Sequence, residues 1–440
     1  MPVRLIEKVA VLLCLLAMGF CANAQVVVDN SFGSAGALGG PNFKIPDTLG
    51  KTVGENLFHS FSEFSLQTSQ SATFTGPDSI QNILGRVTGN KLSEIDGLIQ
   101  SEIADANLYL LNPNGFLFGK NAKVDVDGAF TVSTRESLKL GEDGSFNAVN
   151  PDQSVFASAA PDAFGFLGDN PGGAIKFSGS KLIVENPVGL VGGDIKLEDS
   201  VIYSKSEGKA TGVRIVGDDL AIVDSQIRNK STVEVNGVKQ GIIIELKGDL
   251  EITDTTITEE DGSGVDRGDF IDEIGSDVPF TSRVGILAVN EGIEKPDSIS
   301  IDSKQTMITG GGVYSVNNVE DSHVLETSKS SDINIKTGVL HMNRGELRHK
   351  LVYNGEIHTK TVITSRSTNS INTGRFPFKE IGNIELYLNG ERVFEFKDFV
   401  FVYNSRGTLI SAEFFERLSK GDEVKIVSMP LLIFEESDWS

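Results

Sequence analysis

Apolar residues fall in short runs along this chain, separated by clusters of Gly, Asn, Asp, Ser and Thr. That alternation predicts many brief β-strands joined by tight turns, with few helices. The middle of the chain also repeats itself. Residues 194–202 read DIKLEDSVI, 219–227 read DLAIVDSQI, and 249–257 read DLEITDTTI. Looser copies open at Ser298 and Asp332. Each copy is a strand with alternating apolar residues, a polar corner and a second short strand. The first apolar positions, Ile195, Leu220, Leu250, Ile299 and Ile333, lie roughly 25 to 50 residues apart, a period that marks a solenoid whose units bury their apolar faces only against one another. Two-residue Asn-Gly turns, the mark of antiparallel hairpins, occur at Asn236-Gly237 and Asn389-Gly390 but not between the two strands of a repeat. The pattern therefore predicts an all-β chain wound as a right-handed parallel β-helix, with an antiparallel sandwich or barrel as the alternative. The wide step from Leu250 to Ile299 places an exposed excursion at the acidic stretch 259–277.

Both ends depart from this pattern. Arg4 and Lys8 precede an apolar run at 9–20 that closes on Ala22-Asn23-Ala24, the order of a secretory signal peptide. The run is shorter than the ~20 residues of a membrane-spanning helix, so the mature chain is expected to begin at Gln25. From about Phe376 the repeats give way. Residues 384–388, 393–403 and 423–427 read as strands, and 411–418 as a short helix with Ser411 at its N-cap. A solenoid must hide its last apolar layer, which makes this tail a terminal cap or a small module.

The most specific stretch is 106–130, ANLYLLNPNGFLFGKNAKVDVDGAF. An apolar strand meets a turn at Asn112-Pro113-Asn114-Gly115, and a second strand and turn follow at once. Pro113 fixes φ, while Asn and Gly accept the left-handed conformations of a sharp corner. The residues by themselves describe a rigid β-helix corner. Around it stand Asn82 to Gly89 (NILGRVTG), Ile95-Asp96-Gly97 and Phe118-Gly119-Lys120-Asn121-Ala122. In this order and spacing the segment closely resembles the N-terminal secretion domain of filamentous-haemagglutinin-type proteins, the exported partners of two-partner secretion systems. The likeness is strongest over 28–162.

The resemblance implies a division into a signal peptide (1–24), a secretion domain (25–180), β-helix repeats (181–375) and a C-terminal cap or module (376–440). It implies export through the periplasm and outer membrane, to the cell surface or the medium, after recognition by a TpsB-type outer-membrane transporter with periplasmic POTRA domains. It assigns Asn112, Pro113, Asn114 and Gly115 to the secretion motif. It further implies that the chain crosses the pore unfolded and folds outside.

Charge and residue chemistry narrow the function. The net charge of −22 repels nucleic acid and anionic lipid surfaces. Both cysteines, Cys14 and Cys21, lie in the signal segment, and His59, His323, His341, His349 and His358 do not pair at metal-ligand spacing. No metal and no cofactor are expected. Arg267-Gly268-Asp269, Gly50-Lys51-Thr52 and Asp125-Val126-Asp127-Gly128 are read as loop, turn and corner rather than as receptor, phosphate or Ca²⁺ sites. The expectation is a monomeric, non-enzymatic surface protein, an adhesin or surface-binding protein whose ligand lies on a host or neighbouring cell. Carboxylates facing each other across coils would suit glycoside hydrolysis, so a secreted β-helical carbohydrate-active enzyme is the alternative.

Overall fold

The computed structural model describes residues 26–434 except for several stretches, the longest being 233–240, 256–283, 320–332 and 373–383. The signal segment, the excursion at 259–277 with its Arg267-Gly268-Asp269, and the Asn236-Gly237 turn lie outside the described residues.

The strands stack in parallel and in register, coil upon coil. One column runs Asn56–Phe64, Asn82–Val87, Asn107–Leu111, Phe130–Ser133, Val188–Val191, Gly212–Gly217, Gly241–Leu246, Ile299–Thr309 and Ile333–Asn343. A second runs Ser93–Ile95, Phe116–Phe118, Ile175–Ser178, Ile195–Glu198, Leu220–Val223 and Asp249–Thr253. A third begins with Asn42–Pro46, Ser71–Thr75, Leu98–Ser101 and Lys123–Asp125. It continues through Lys181–Val184, Val201–Lys205, Gln226–Ser231, Gly285–Glu291, Gly312–Val319 and Glu346–Tyr353. This is a parallel β-helix. Parallel registry sets like upon like, so Ile195, Leu220 and Leu250 form one inward ladder, each fully buried. Each such side chain contributes ~1.5–3 kcal/mol by leaving water. At the predicted polar corners Asp199 and Asp224 take left-handed backbone (φ 47° and 48°), which Asp tolerates better than most residues. Beside them the Ser180 amide donates to Ser200 Oγ (3.0 Å), and the Ser200 amide to Ser225 Oγ (2.8 Å).

The repeat alignment needs one correction. Ile299 does not stand on Leu250. It stands on Ile242, and Thr306 stands on Leu250. The strand Ile299–Thr309 runs through where a corner would fall, so its two halves serve two columns. At the junction Ser303 Oγ and Thr306 Oγ1 share a hydrogen bond of 2.8 Å. The ladder also crosses position 180 without a break, because Phe177 pairs with both Phe118 and Leu197.

The tail differs from expectation in two ways. Antiparallel pairing begins at His358–Ile363, which joins Glu423–Ser428, rather than at 376. Residues 411–418 belong to the strand Leu409–Leu418, not to a helix. That strand pairs on one side with Thr368–Asn372 and on the other with Phe399–Tyr403, and such long-range pairing overrides a local capping signal. Leu432–Phe434 returns antiparallel to Glu346–Tyr353 and closes the third column.

One element was absent from the sequence reading. After Ser133 the chain leaves the helix, and Ser137–Leu140 forms a small antiparallel sheet with Gly144–Asn147 and Pro161–Leu167. The chain re-enters at Ile175, stacked on Phe116. The excursion lies against the outside of the first coils. Phe58, Leu84, Tyr109 and Leu111 there form a second core with Leu138, Leu140, Phe146 and Ala148.

Candidate functional site

The turn Asn112-Pro113-Asn114-Gly115 lies at the corner between Asn107–Leu111 and Phe116–Phe118. The Gly115 amide donates to Asn112 O (3.0 Å) and closes the turn. The Asn114 amide donates to Asn112 Oδ1 (3.0 Å), an Asx turn. Asn112 is fully buried, and its Nδ2 donates outward to Lys91 O (3.0 Å) and Ser93 Oγ (2.9 Å). Asn114 is exposed; its Nδ2 donates to Gly89 O (2.8 Å) and to Asn112 Oδ1 (3.1 Å). Two side-chain amides thus hold the preceding coil's loop, 89–92, in place. Leu92 on that loop is 43% exposed. The next coil holds the turn from the other side, where Gly173 N donates to Pro113 O (2.7 Å) and Phe116 N to Ala174 O (3.0 Å). Gly115 has φ 115°, and a Cβ there would meet Ala174 O at 2.7 Å, so both conformation and space call for glycine.

The motif pieces around the turn are wired together as well. Asn82 Nδ2 donates to Asn56 Oδ1 (2.9 Å), Asn107 Nδ2 donates to Asn82 Oδ1 (3.0 Å), and the Ala129 amide donates to Asn107 Oδ1 (2.9 Å). Asn56 Nδ2 in turn donates to Ala157 O (2.9 Å) and Ala159 O (2.7 Å) at the end of the excursion. Asp96 accepts from Thr68 Oγ1 and from Asn121 N and Nδ2 (both 2.9 Å). Desolvation pushes the Asp96 carboxyl up, and these hydrogen bonds outweigh it and leave the group below its usual range.

Arg86, inside the NILGRVTG segment, is fully buried. Nε donates to Ser60 Oγ (2.8 Å), Nη1 to Asn147 O (2.6 Å) and Ser154 Oγ (2.7 Å), and Nη2 to Ser31 Oγ (3.1 Å). Its guanidinium also sits over the Phe146 ring, 4.7 Å from the centroid. One side chain joins the N-terminal segment, the first coil and the excursion. Burial pulls its pKa down to about 10, opposed by the nearby charges of Asp29 and Asp152. Sequence reasoning quoted Arg86 but gave it no role. The available signal was a charged residue inside an otherwise apolar strand. His59 was likewise set aside. It lies buried in the first coil against Phe61 and Phe74, its Nε2 without a hydrogen-bond partner, and desolvation pushes its pKa down to about 3.

Among the described residues the other candidate positions do not gather into a reactive constellation. Asp125 and Asp127 are exposed and flank the buried Val126. Gly50 ends a single 3₁₀ turn, and Lys51 Nζ lies 4.2 Å from the Phe156 ring centroid. Among the described residues no three His, Cys, Asp or Glu side chains converge in a way that could hold a metal ion. A polar recess lined by Ser65, Gln67, Thr68, Glu94 and Asp96 opens beside Leu66.

The family model of the TPS secretion domain matches residues 24–265, more than half of the chain. The heme/hemopexin-binding protein of Haemophilus influenzae is 31% identical over 84 residues, which is 19% of this chain and 9% of that protein, so the match spans a small part of the relative. Among solved structures, the HMW1 secretion domain from Haemophilus influenzae aligns over 74% of each chain at 14% identity, with a TM-score of 0.29.

Proposed function

The chain belongs to the TPS secretion domain family, and on that premise we propose that it is a surface-binding protein, an adhesin, with no catalytic role of its own. Proteins of this family are two-partner secretion exoproteins. They are recognised by a TpsB-type outer-membrane transporter and exported to the cell surface or the medium. In the reading proposed here the transporter's periplasmic POTRA domains meet the chain first, it crosses unfolded, and its coils fold beyond the membrane. The observation that carries the export role is the corner at Asn112 to Gly115, whose two amides fix the loop 89–92 and display Leu92. The motif residues are mostly engaged in the fold, so they act by shaping the surface around them rather than by direct contact alone.

The binding role draws on the outward faces of the stacked coils. Parallel registry repeats exposed side chains at fixed intervals of about 4.8 Å along the rod, an arrangement suited to an extended partner. A relative whose name records heme/hemopexin binding adds support for a binding protein. Replacing Asn112 and Asn114 by Ala should abolish most export when transporter and chain are co-expressed. Leu92→Ser should lower export while leaving the purified protein's stability unchanged. Export unaffected by either change overturns the role of the corner. For the binding role, purified protein should bind host or neighbouring cells saturably. Degradation of a glycan that one Asp or Glu substitution abolishes would replace the adhesin with a carbohydrate-active enzyme.

A further inference from the structure

We propose that the Asn114-Gly115 bond is a self-modifying site, which deamidates in the unfolded chain and is switched off by formation of the corner. The reaction needs only water. The Gly115 backbone nitrogen loses its proton and attacks Cγ of Asn114. A C–N bond closes a five-membered succinimide, and the side-chain nitrogen takes up a proton and leaves as ammonia. Water then opens the ring at either carbonyl and leaves aspartate or isoaspartate at 114. Glycine in the following position favours the attack, because no Cβ crowds the nitrogen and the backbone turns freely into the geometry required.

The folded corner removes each requirement. The attacking nitrogen is already engaged, 3.0 Å from Asn112 O. The leaving amide is anchored on Gly89 O (2.8 Å) and Asn112 Oδ1 (3.1 Å). The backbone cannot swing, because Gly115 is pressed against Ala174 of the next coil and Gly173 N grips Pro113 O at 2.7 Å. The turn supplies some of these restraints and residues 89 and 173–174 supply the others, so the set is complete only once neighbouring coils have stacked.

The product cannot rebuild what it replaces. Asn114 Nδ2 donates to two oxygens, and a carboxylate there has no hydrogen to give. Its charge would face Gly89 O and Asn112 Oδ1 directly. Isoaspartate also adds a backbone atom in a turn closed on both sides. Under the export route proposed above, a chain that waits unfolded loses the corner that export depends on, so the site limits how long an unexported chain remains usable.

The test uses the full mature chain and does not depend on export. One sample is held in urea and another native, both at neutral pH, and peptides are mapped by mass spectrometry over time. In urea the peptide containing Asn114-Gly115 should convert at a rate similar to that containing Asn389-Gly390. In the native sample conversion at 114 should be at least about tenfold slower, since it must wait for the corner to open locally. Chain aged in urea should refold in lower yield in proportion to its deamidation, and Asn114→Asp should reproduce that loss. Asn114→Gln, which keeps an amide but closes the ring poorly, should resist ageing. Equal rates in native and urea-held protein overturn the proposal. So does an Asn114→Asp chain that refolds with the yield and stability of the parent. If that variant does not fold at all, the rate comparison on the unaltered chain still decides.

Discussion

One row of side chains shows how the first coils differ from the later ones. On the outward face of the first column, Phe58, Leu84 and Tyr109 stack in register and are buried beneath the excursion at 137–167. The same row continues as Thr131, Gly189, Arg214, Ile243 and Ser300, all partly open to solvent. The inward row beside it does not change character: Leu57, Ile83, Leu108, Phe130, Val188, Val213, Ile242 and Ile299 are buried throughout. Later coils hold by the inner ladder, the backbone bonds, short serine corners and a small buried polar group at Thr211, Asn229 and Ser231. The first coils add a second core, an asparagine ladder and the Arg86 clamp, which ties three segments together, whereas the buried Arg228 of a later coil lies over Tyr203. A coil in mid-stack has a finished neighbour to template it, whereas the first has none. The extra interactions sit where stacking alone gives least.

Four measurements test this contrast. Arg86→Met should have the largest effect, lowering unfolding free energy by about 3–5 kcal/mol in urea titration, because it strands Ser60, Ser154 and Asn147 O and takes the cation away from Asp29. A loss below 1 kcal/mol would show that the polar clamp is dispensable. Acid should come next. His59 is neutral in the fold with a pKa of about 3, against an ordinary value of 6.5. The unfolded chain therefore takes up the proton first as pH falls. The cost is absent above about 6.5 and grows between there and about 3, by at most ~1.4 kcal/mol per pH unit. His59→Phe should flatten that part of the stability profile, and an unchanged slope would remove His59 from the account. Asn82→Ala breaks the amide ladder and leaves Asn56 Oδ1 without its donor, which should cost about 1–3 kcal/mol. Arg214→Met should cost least. Its 2.6 Å pair with Glu245 is partly open to water on both sides, and such pairs contribute ~0.2–1 kcal/mol. If Arg214 proved as costly as Arg86, the distinction between the two regions would fail.

The sequence made the coils readable because parallel registry repeats the same apolar positions, as at Ile195, Leu220 and Leu250. It made the corner at 112–115 readable because Pro, Asn and Gly name the backbone they need. Ile299 was misaligned because Asp302-Ser303 repeats the Asp-Ser of the corners at 199–200 and 224–225, whereas here the chain continues as one strand. The excursion was missed although a sign was present. Asn107–Leu111 is apolar at consecutive positions (LYLL), which means a strand covered on both faces. Ser411 suggested a helix because a capping signal is purely local, whereas its strand is fixed by partners on both sides, Phe399–Tyr403 nearby and Thr368–Asn372 some 40 residues away. The roles of Arg86 and His59 needed tertiary neighbours to be seen.

The strand Ile299–Thr309 has a mechanical consequence. In the coils before it the first column meets the second through a short turn, as at Asp218-Asp219 and Lys247-Gly248. In this coil, and in Ile333–Asn343 stacked on it, the two columns share one continuous strand, and the two strands are bonded along most of their length. Twisting one face against the other must strain the peptide chain itself instead of flexing a joint. These two coils therefore resist torsion between their first two columns, and a load applied at the far end passes through them as through a collar.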